Sequence, residues 1–315
     1  MPRLPYTTLD VFTTTPMTSG NPLAVVAVPP GTSLSKTQEH LIAREFNYSE
    51  TIFIYTDTAS EARPRIAIWT TDQELPFAGH PTVGAAWYLA RTGGERYSRA
   101  FEVEVPAGVI GVSHGVDGRM KVDVPTKVYL WTTKLSITRA REVVGLPAGA
   151  DVDVDVFGGS CKDGVPVISL VDGLAFALVE VASLDVLASL SPGGKSLQID
   201  AARDLGAASS TESFIGTYCY VVTGGDAAGG SMSVRTRMFY DGDKEDPATG
   251  SAACALASYL ALARGGEGLR VEVTQGVEMQ RRSEIGVGVT VGGGVVKKVV
   301  LEGAAVKVME GVLIA

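Results

Sequence analysis

The sequence predicts an α+β protein whose two halves each arrange several strands around one helix. A stretch of seventeen residues occurs twice, because Glu74 to Ala90 matches Glu245 to Ala261 at seven positions. In each half, the apolar residues follow a strand–strand–helix–strand–strand order around that stretch. The chain also contains 37 glycines among its 315 residues, which favours many short strands and turns.

The composition is typical of a globular protein and argues against several classes of partner. A hydrophobic content of 45% and a length of 315 residues suffice for two domains with their own cores. The net charge of −8 and the pI near 5.0 argue against non-specific nucleic-acid binding. No run approaches the length of a membrane span, and the N-terminal MPRLPYTTLDVF lacks the apolar core of a signal peptide. Three cysteines do not make a disulfide framework, so we expect a cytoplasmic protein that does not bind membranes.

The first half, residues 1–125, begins with two strands that the turn Gly20-Asn21-Pro22 separates. Ser35 is a plausible N-cap for the helix that follows, in which Leu41, Ile42 and Phe46 share an apolar face. In order, the expected elements are strands at 6–12 and 23–28, a helix at 35–46, strands at 51–55 and 65–70, the helix of the first repeat to about residue 91, and strands at 100–106, 108–113 and 119–124.

The second half, residues 126–302, begins with a less regular crossover at 126–160 that holds a short helix near 139–144. After this crossover the strand and helix pattern of the first half returns. In order, the expected elements are strands at 165–171 and 175–180, short helices at 184–190 and 200–206, strands at 218–223 and 231–239, the helix of the second repeat, and strands at 269–275, 285–291, 295–301 and 304–309.

The two repeats share a Glu-x-Pro-x-x-Gly loop that leads into an Ala-rich helix. The loop ends at Gly79 in the first copy and at Gly250 in the second. Such a loop leaves backbone N–H groups unpaired at the start of a helix, where the helix dipole also favours negative charge. Two such helix starts facing each other predict a pocket for an anion such as a carboxylate.

Three ionisable residues stand beside these loops and carry the candidate chemistry. Glu50 lies between a polar turn and an apolar strand, His80 lies at the first helix start, and Asp246 lies just before the second. A Glu and an Asp in one pocket could act as general base and general acid, since burial raises carboxyl pKa values toward neutrality. Each residue also has a structural alternative. Glu50 could cap a turn, Asp246 could N-cap its helix, and His80 could be a core or capping histidine.

Other constellations in the chain carry less chemistry. Ser251, His80 and Asp246 supply the residue types of a hydrolase triad, but Ser251 does not stand in a Gly-x-Ser-x-Gly motif. The histidines and cysteines lack metal-ligand spacing, so we expect no metal site. Neither a dinucleotide fingerprint nor a P-loop is present, and we expect no cofactor. Cys254 lies on an apolar helix face and is expected to pack in the core.

At these motifs the chain resembles the PhzF-like family, which is named for an isomerase of phenazine biosynthesis and shares the diaminopimelate epimerase fold. The resemblance runs in order from residue 10 to residue 261 and covers most of the chain. The stretches that carry it are Asp10-Val11-Phe12, Gly20-Asn21-Pro22, Asn47-Tyr48-Ser49-Glu50-Thr51, Glu74 to Thr82 and Glu245 to Ala252.

The resemblance implies two pseudo-symmetric domains, each a mostly antiparallel sheet wrapped around a central helix, with the active site in the cleft between them. It also implies that the last strand, about residues 303–315, returns to the first domain, and that the protein is a homodimer. The general acid/base role falls on Glu50, with Asp246 binding the substrate or relaying a proton and His80 completing the relay. Substrate binding falls on Asn21, Ser49, Gly79, Gly250 and Ser251.

The racemases of the wider fold carry a cysteine at each helix start, whereas this chain has Gly79-His80 and Gly250-Ser251 there. A two-thiol mechanism is therefore not expected. We expect instead a cofactor-independent isomerase that moves a proton between carbons of a small carboxylate-bearing metabolite. Two alternatives remain open at the level of sequence: a binding protein of the same fold without turnover, and a hydrolase that uses Ser251.

Overall fold

The computed structural model describes residues 2–56, 63–115, 117–125, 127–144, 161, 163–171, 173–193, 199–206, 214–226 and 230–315. They form two compact units. Unit 1 comprises Met1–Pro125, Gln280–Ile285 and Val300–Ala315, and unit 2 comprises Thr126–Met279 and Gly286–Val299. Within the described residues, no helix combines the length and the apolar character that a membrane crossing requires.

Unit 1 is a mostly antiparallel sheet with two α-helices. Its elements are β1 (Arg3–Val11), β2 (Asn21–Val28), α1 (Lys36–Phe46), β3 (Glu50–Tyr55), β4 (Arg65–Trp69), β5 (Glu74–Leu75), α2 (Gly79–Thr92), a 3-10 helix (Gly94–Tyr97), β6 (Phe101–Val105), β7 (Gly108–His114) and β8 (Met120–Asp123). The pairs β1–β2, β3–β4, β6–β7 and β7–β8 are antiparallel, whereas β2–β3 and β4–β6 are parallel.

Helix α2 is the central helix of unit 1 and packs against β1, β2, β3 and β8. Most of its first three turns are buried, from Gly79 to Ala86. Gly84 lets the helix approach β2 closely, since a Cβ at this position would lie 2.3 Å from a methyl carbon of Leu23. Helix α1 covers another part of the sheet, and its predicted N-cap is confirmed because Ser35 and Gln38 form a capping box. Leu41 does not join the apolar face with Ile42, because its residue surface is 56% exposed.

Unit 2 repeats the arrangement. Its elements are β9 (Tyr129–Leu130), α3 (Ile137–Val143), β10 (Val167–Val171), β11 (Leu174–Glu180), α4 (Leu184–Ser189), α5 (Ala201–Leu205), β12 (Phe214–Asp226), β13 (Ser231–Tyr240), β14 (Lys244–Asp246), α6 (Gly250–Arg264) and β15 (Gly268–Gln275). Again two pairs are parallel, β11–β12 and β13–β15, while β10–β11 and β12–β13 are antiparallel. Helix α6 packs against β10, β11 and β15, and Cys254 is fully buried in it, as the core-packing prediction requires. The remainder of the predicted crossover, 145–160, lies outside the described residues.

Three strands complete the chain: β16 (Ser283–Gly292), β17 (Val295–Gly303) and β18 (Ala305–Ile314). Residues 280–285 and 300–302 belong to unit 1, although the sequence analysis assigned them to the second half. Strand pairing explains one of these differences, because Val300 to Gly303 pair with β8. The side chain of Arg281 explains the other, because it bonds to three groups of the β1–β2 segment. Strand β18 pairs antiparallel with β1 from Arg3 to Val11.

Candidate active site

The loop before Asn21 is held by one ion pair. The guanidinium of Arg281 lies 2.5 Å from Oδ1 of Asp10 and donates to the carbonyl oxygens of Met17 at 2.6 Å and Gly20 at 3.0 Å. Oδ2 of Asp10 in turn accepts the backbone N–H of Met17 at 2.6 Å. These bonds fix both ends of the turn, so Asn21 begins β2 in a defined position with its residue surface 1% exposed. Sequence reasoning missed Arg281, whose partners lie more than 260 positions away.

Glu50 begins β3 directly after a short connector from α1. Asn47 ends α1 in a left-handed conformation, with φ of 52°. In the parallel pair of β2 and β3, Glu50 lies opposite Leu23, two residues after Asn21. Strand pairing therefore brings the starts of both strands together, and Ser49 Oγ donates to Asn21 Oδ1 at 3.4 Å.

His80 joins this group from the first turn of α2. Its Nδ1 lies 3.4 Å from Oε2 of Glu50 and 3.5 Å from Nδ2 of Asn21. The imidazole is buried, with its side chain 3% exposed, while the Glu50 side chain is 18% exposed. Unit 1 thus brings together Asn21, Ser49, Glu50 and His80 from three separate elements. Nδ1 of His80 therefore faces the candidate base Glu50.

Burial changes the acidity of Glu50. Removal of the carboxylate from water raises the pKa of Glu50 from 4.5 to about 7, and the neighbouring Ser49 hydroxyl partly opposes this rise. A carboxyl group with a pKa near neutrality exchanges its proton readily in either direction at physiological pH. This is the property that an acid/base catalyst requires.

Helix α2 begins without a side-chain cap, because Ala78 occupies the N-cap position. Gly79 and His80 are its first residues, and Pro81, which lacks an N–H, follows them. Thr82 turns its hydroxyl to the carbonyl oxygen of Ala78 at 2.7 Å. The helix start therefore presents N–H groups and the positive end of the helix dipole beside the Glu50 and His80 pair.

In unit 2, Asp246 ends β14 and Gly250 begins α6. The N-cap of α6 is Thr249, so the alternative that Asp246 caps this helix is wrong. The Thr249 hydroxyl makes no capping hydrogen bond either. It donates to Oδ2 of Asp246 at 2.5 Å. Ser251 follows Gly250 in the first turn, with its residue surface 8% exposed. Like α2, helix α6 thus begins without a side-chain cap.

Gln275 holds the Asp246 turn and was also missed by sequence reasoning. Its amide nitrogen donates to the carbonyl oxygen of Asp246 at 2.8 Å. An alternation in the sequence could have identified it. The buried positions of β15 are Leu269, Val271, Val273 and Gln275, so an amide occupies the last position of an apolar row.

A Ser251 hydrolase receives no support from the described residues. Nδ1 of His80, the histidine of that alternative, faces Glu50. Burial raises the pKa of the Cys219 and Cys254 thiols, which disfavours the thiolate form that a nucleophile needs. Within the part of the chain that the structure describes, no three His, Cys, Asp or Glu side chains cluster as metal ligands would.

Comparison with known proteins agrees with this architecture. A family model described as phenazine biosynthesis-like protein, PhzC-PhzF, matches residues 9–311. The chain is 33% identical over 320 residues to an uncharacterized isomerase of Mesorhizobium japonicum, with 98% of each chain covered. It is 32% identical over 297 residues to the trans-2,3-dihydro-3-hydroxyanthranilate isomerase of Pseudomonas chlororaphis, with 88% of this chain and 87% of that protein covered.

A solved structure is similar over its full length. The crystal structure of a PhzF-family protein from Bacillus anthracis superimposes with a TM-score of 0.78 at 21% identity, and the match covers 100% of both chains. This similarity confirms the predicted α+β fold class. Because the family model spans nearly the whole chain and the relatives named above are isomerases, the chain belongs to the PhzC-PhzF, phenazine biosynthesis-like, family of isomerases.

Proposed function

We propose that the protein is a cofactor-independent isomerase that moves a proton between carbons of a small carboxylate-bearing metabolite. The observation that carries this proposal is the pair of Glu50 and His80. A largely buried carboxyl group lies 3.4 Å from an imidazole nitrogen at an uncapped helix start. This arrangement combines a proton carrier with groups that stabilise negative charge, which are the two requirements of carbon-acid chemistry.

In the proposed reaction, ionised Glu50 takes a proton from an acidic C–H bond of the substrate. The electrons of that bond delocalise toward the substrate carboxylate, and a carbon–carbon double bond of the substrate changes its position. Protonated Glu50 then returns the proton to another carbon of the same molecule, so no net proton, electron or group is consumed. His80 lies within reach of the same carboxyl oxygen, and we assign it the relay of this proton.

The N–H groups of Gly79 and His80 at the start of α2 are the proposed binding site for the substrate carboxylate. The helix dipole adds to these donors, and partial burial strengthens the electrostatic interaction. Asn21 and Ser49 are proposed to bind other polar groups of the substrate, since their side chains bond to each other beside Glu50. In unit 2 we assign Asp246, Gly250 and Ser251 to substrate binding, with Asp246 accepting a hydrogen bond or relaying a proton.

The test is deuterium exchange followed by NMR. The protein is incubated in D2O with small amino and hydroxy acids, including trans-2,3-dihydro-3-hydroxyanthranilate, which names the activity of one relative. We expect deuterium at carbon with at least one compound, and a loss of about 10²- to 10⁴-fold in Glu50→Gln with ligand binding retained. Glu45→Gln is the matched control, because Glu45 lies five positions earlier on the exposed face of α1.

Three outcomes would contradict the proposal. Ligand binding with neither deuterium exchange nor formation of an isomer across the panel would support the binding protein without turnover. Exchange that persists unchanged in Glu50→Gln would assign the proton transfer to another residue. Covalent labelling of Ser251 by a serine-directed phosphonate would instead support the hydrolase.

We further propose that the protein is a homodimer that contacts its partner through β18. Four large apolar side chains are exposed on α1 and β18: Leu41, Met309, Val312 and Ile314. An antiparallel contact between two β18 strands, centred between Val308 and Met309, would place Lys307 of one copy opposite Glu310 of the other. Sedimentation analysis should show a dimer that Met309→Lys converts to a monomer, while Val222→Lys, at another exposed apolar site, leaves it intact.

Cytoplasmic localisation is proposed from the cysteine content. Three cysteines in 315 residues are few for an oxidising compartment. Cell fractionation tests it, and recovery with the periplasmic or secreted fraction would contradict it.

A further inference from the structure

Gln275 ends β15 with a side-chain amide that is fully buried and bonded on both sides. Its Oε1 accepts from the Tyr218 hydroxyl at 2.9 Å and from the backbone N–H of Thr249 at 3.2 Å. Its Nε2 donates to the carbonyl oxygen of Asp246 at 2.8 Å and to the Thr249 hydroxyl at 3.1 Å. One side chain therefore closes the turn from Asp246 to Thr249 at both of its ends.

The backbone partners determine which end of the amide is oxygen. A backbone N–H can only donate, so the atom that faces Thr249 N must be Oε1. A backbone carbonyl can only accept, so the atom that faces Asp246 O must be Nε2. The Thr249 hydroxyl accepts a hydrogen from Nε2 and has one hydrogen of its own to donate. That hydrogen points to Oδ2 of Asp246 at 2.5 Å, so the bonds run in one direction, from Gln275 through Thr249 to Asp246.

Unit 1 contains the same framework without these polar groups. Strand registers match Glu74 to Glu245, because they lie opposite Trp69 and Phe239 on the neighbouring strands. The strands β3, β4 and β6 of unit 1 pair in the same register as β12, β13 and β15 of unit 2. This register gives the unit 1 residue that corresponds to each residue bonded to or near Gln275. Thr236 also belongs to the network around Gln275, because its hydroxyl donates to the Tyr218 hydroxyl at 3.0 Å. In unit 1 the positions of Tyr218, Thr236, Asp246, Thr249 and Gln275 are occupied by Ile52, Ile66, Leu75, Ala78 and Val105. The fold thus forms with apolar residues at these five places, so the polar network of unit 2 is not a requirement of the framework.

We propose that Gln275 is a positioning residue that orients the Asp246 carboxylate through Thr249. The proposal rests on the substrate-binding role assigned to Asp246 above. In this proposal the bonds from Gln275 to Thr249 and from Thr249 to Asp246 make Oδ2 of Asp246 an acceptor and hold its carboxylate in one rotamer. The Thr249 hydroxyl bonds to Gln275 and Asp246 and makes no capping bond to the helix, so the start of α6 has no side-chain cap.

Four variants separate positioning from a general loss of stability. Gln275→Met keeps the length of the side chain and removes all of its hydrogen bonds. Thr249→Val keeps the shape and removes the hydroxyl, whereas Thr249→Ser keeps the hydroxyl. Ser258→Ala is the matched control, since Ser258 is fully buried in α6 and donates only within that helix, to Cys254 O at 2.8 Å.

The first readout is independent of turnover. In protein labelled with ¹³C-aspartate, the Cγ resonance of Asp246 is identified by its absence in Asp246→Asn. We expect this resonance to move in Gln275→Met and Thr249→Val and to keep its wild-type position in Thr249→Ser and Ser258→Ala. An unchanged resonance in both Gln275→Met and Thr249→Val would overturn the positioning role, and the second variant keeps the test valid if the first fails to fold.

The second readout is the kinetics of the exchange reaction. We expect kcat to fall by about 10- to 100-fold in Gln275→Met and Thr249→Val, and Thr249→Ser to recover most of it. A resonance that moves without any change in kcat would support the clamp and reject the role assigned to Asp246. The two readouts therefore distinguish failure of this inference from failure of the proposed function.

Discussion

The guanidinium of Arg237 holds the carboxylate of Glu245 through two bonds of 2.8 Å each. Arg237 is 6% exposed, and the same guanidinium donates to Leu187 O and Leu190 O at the end of α4. The matching glutamate of the first repeat, Glu74, pairs with Lys36 at the start of α1 at 2.6 Å. The glutamate shared by both repeats therefore anchors the loop before each central helix to a neighbouring helix, and this explains its recurrence without a catalytic role.

Replacing Arg237 by Met should destabilise the protein by roughly 3–5 kcal/mol, because it leaves the Glu245 carboxylate and the carbonyl oxygens of α4 without their shared donor. Urea unfolding measures the loss. Lys244→Met is the control, because its ion pair with Asp241 is exposed and should contribute less than about 1 kcal/mol. Equal destabilisation by the two substitutions would contradict the anchoring role.

The residues shared by the two repeats include structural ones, whereas the candidate acid/base residues Glu50 and Asp246 stand where the two halves differ. The shared residues Glu74 and Glu245 form structural ion pairs, whereas Asp246 corresponds to Leu75 and Glu50 corresponds to Gly216. Local patterns predicted most strands and both central helices. The alternation of strands, the helical period and the turn residues can all be recognised from residues that are close together in the sequence. The place of Glu50, His80 and Asp246 beside the two loops indicated them as candidates, and the family resemblance added Asn21 and Ser49. In the structure, Nδ1 of His80 lies 3.4 Å from Oε2 of Glu50.

Long-range partners could not be predicted in this way. Arg281 bonds to Asp10 across 271 positions, and nothing near either residue indicates the other. Gln275 is different, since its place in an apolar row was visible. Its partners were not, because the amide reaches Asp246 only after β15 has paired with β13.

Gly20→Ala should lower stability and turnover together. Gly20 has φ of +77°, and a Cβ there would lie 2.5 Å from a methyl carbon of Thr13 and 2.6 Å from Val11 O. The backbone must shift next to Asn21, so we expect a loss of about 2–4 kcal/mol and a reduced kcat. Gly31→Ala is a matched control with the same φ of +77° and open space around the new Cβ, so it should cost only about 1 kcal/mol. Similar losses in thermal unfolding would show that crowding at Gly20 is unimportant.

The pH profile of kcat/KM should rise through pH 7. Glu50 must be ionised to accept a proton, and burial raises its pKa to about 7, so activity increases as the pH passes that value. The neighbouring Ser49 hydroxyl lowers the pKa of Glu50, so Ser49→Ala should move the rising limb to higher pH. Ser98→Ala, which removes a hydroxyl that bonds only to Glu95 O, should leave the limb in place. A limb near pH 4.5 in the wild type would mean that a different group controls the reaction.

Glu50→Gln should stabilise the protein at alkaline pH while abolishing its turnover. The folded-state pKa of Glu50, about 7, lies above the ordinary value of 4.5, so the folded protein binds this proton more tightly than the unfolded chain. The stabilising contribution is complete below pH 4.5 and is lost as the pH rises through 7. Above pH 8 the wild type must bury an ionised carboxylate, whereas glutamine has no charge to bury. The rise in the pKa of Glu50 from 4.5 to about 7 corresponds to roughly 3 kcal/mol at most. We expect Glu50→Gln to gain about 1–3 kcal/mol in stability, because the Glu50 side chain retains some exposure.

Thermal unfolding at pH 5 and pH 8 measures this difference directly. The melting temperature of Glu50→Gln should exceed that of the wild type at pH 8, and the gap should narrow at pH 5, where most wild-type Glu50 is protonated in the folded state. Glu45→Gln should show no such dependence, because Glu45 is exposed. If Glu50→Gln instead lost stability at pH 8, the ionised carboxylate would be stabilised by its surroundings, and both its raised pKa and its suitability as a base at neutral pH would be refuted. Burial of Glu50 at the start of β3 therefore lowers stability at pH 8, and the same burial raises its pKa to the value that the proposed proton transfer requires.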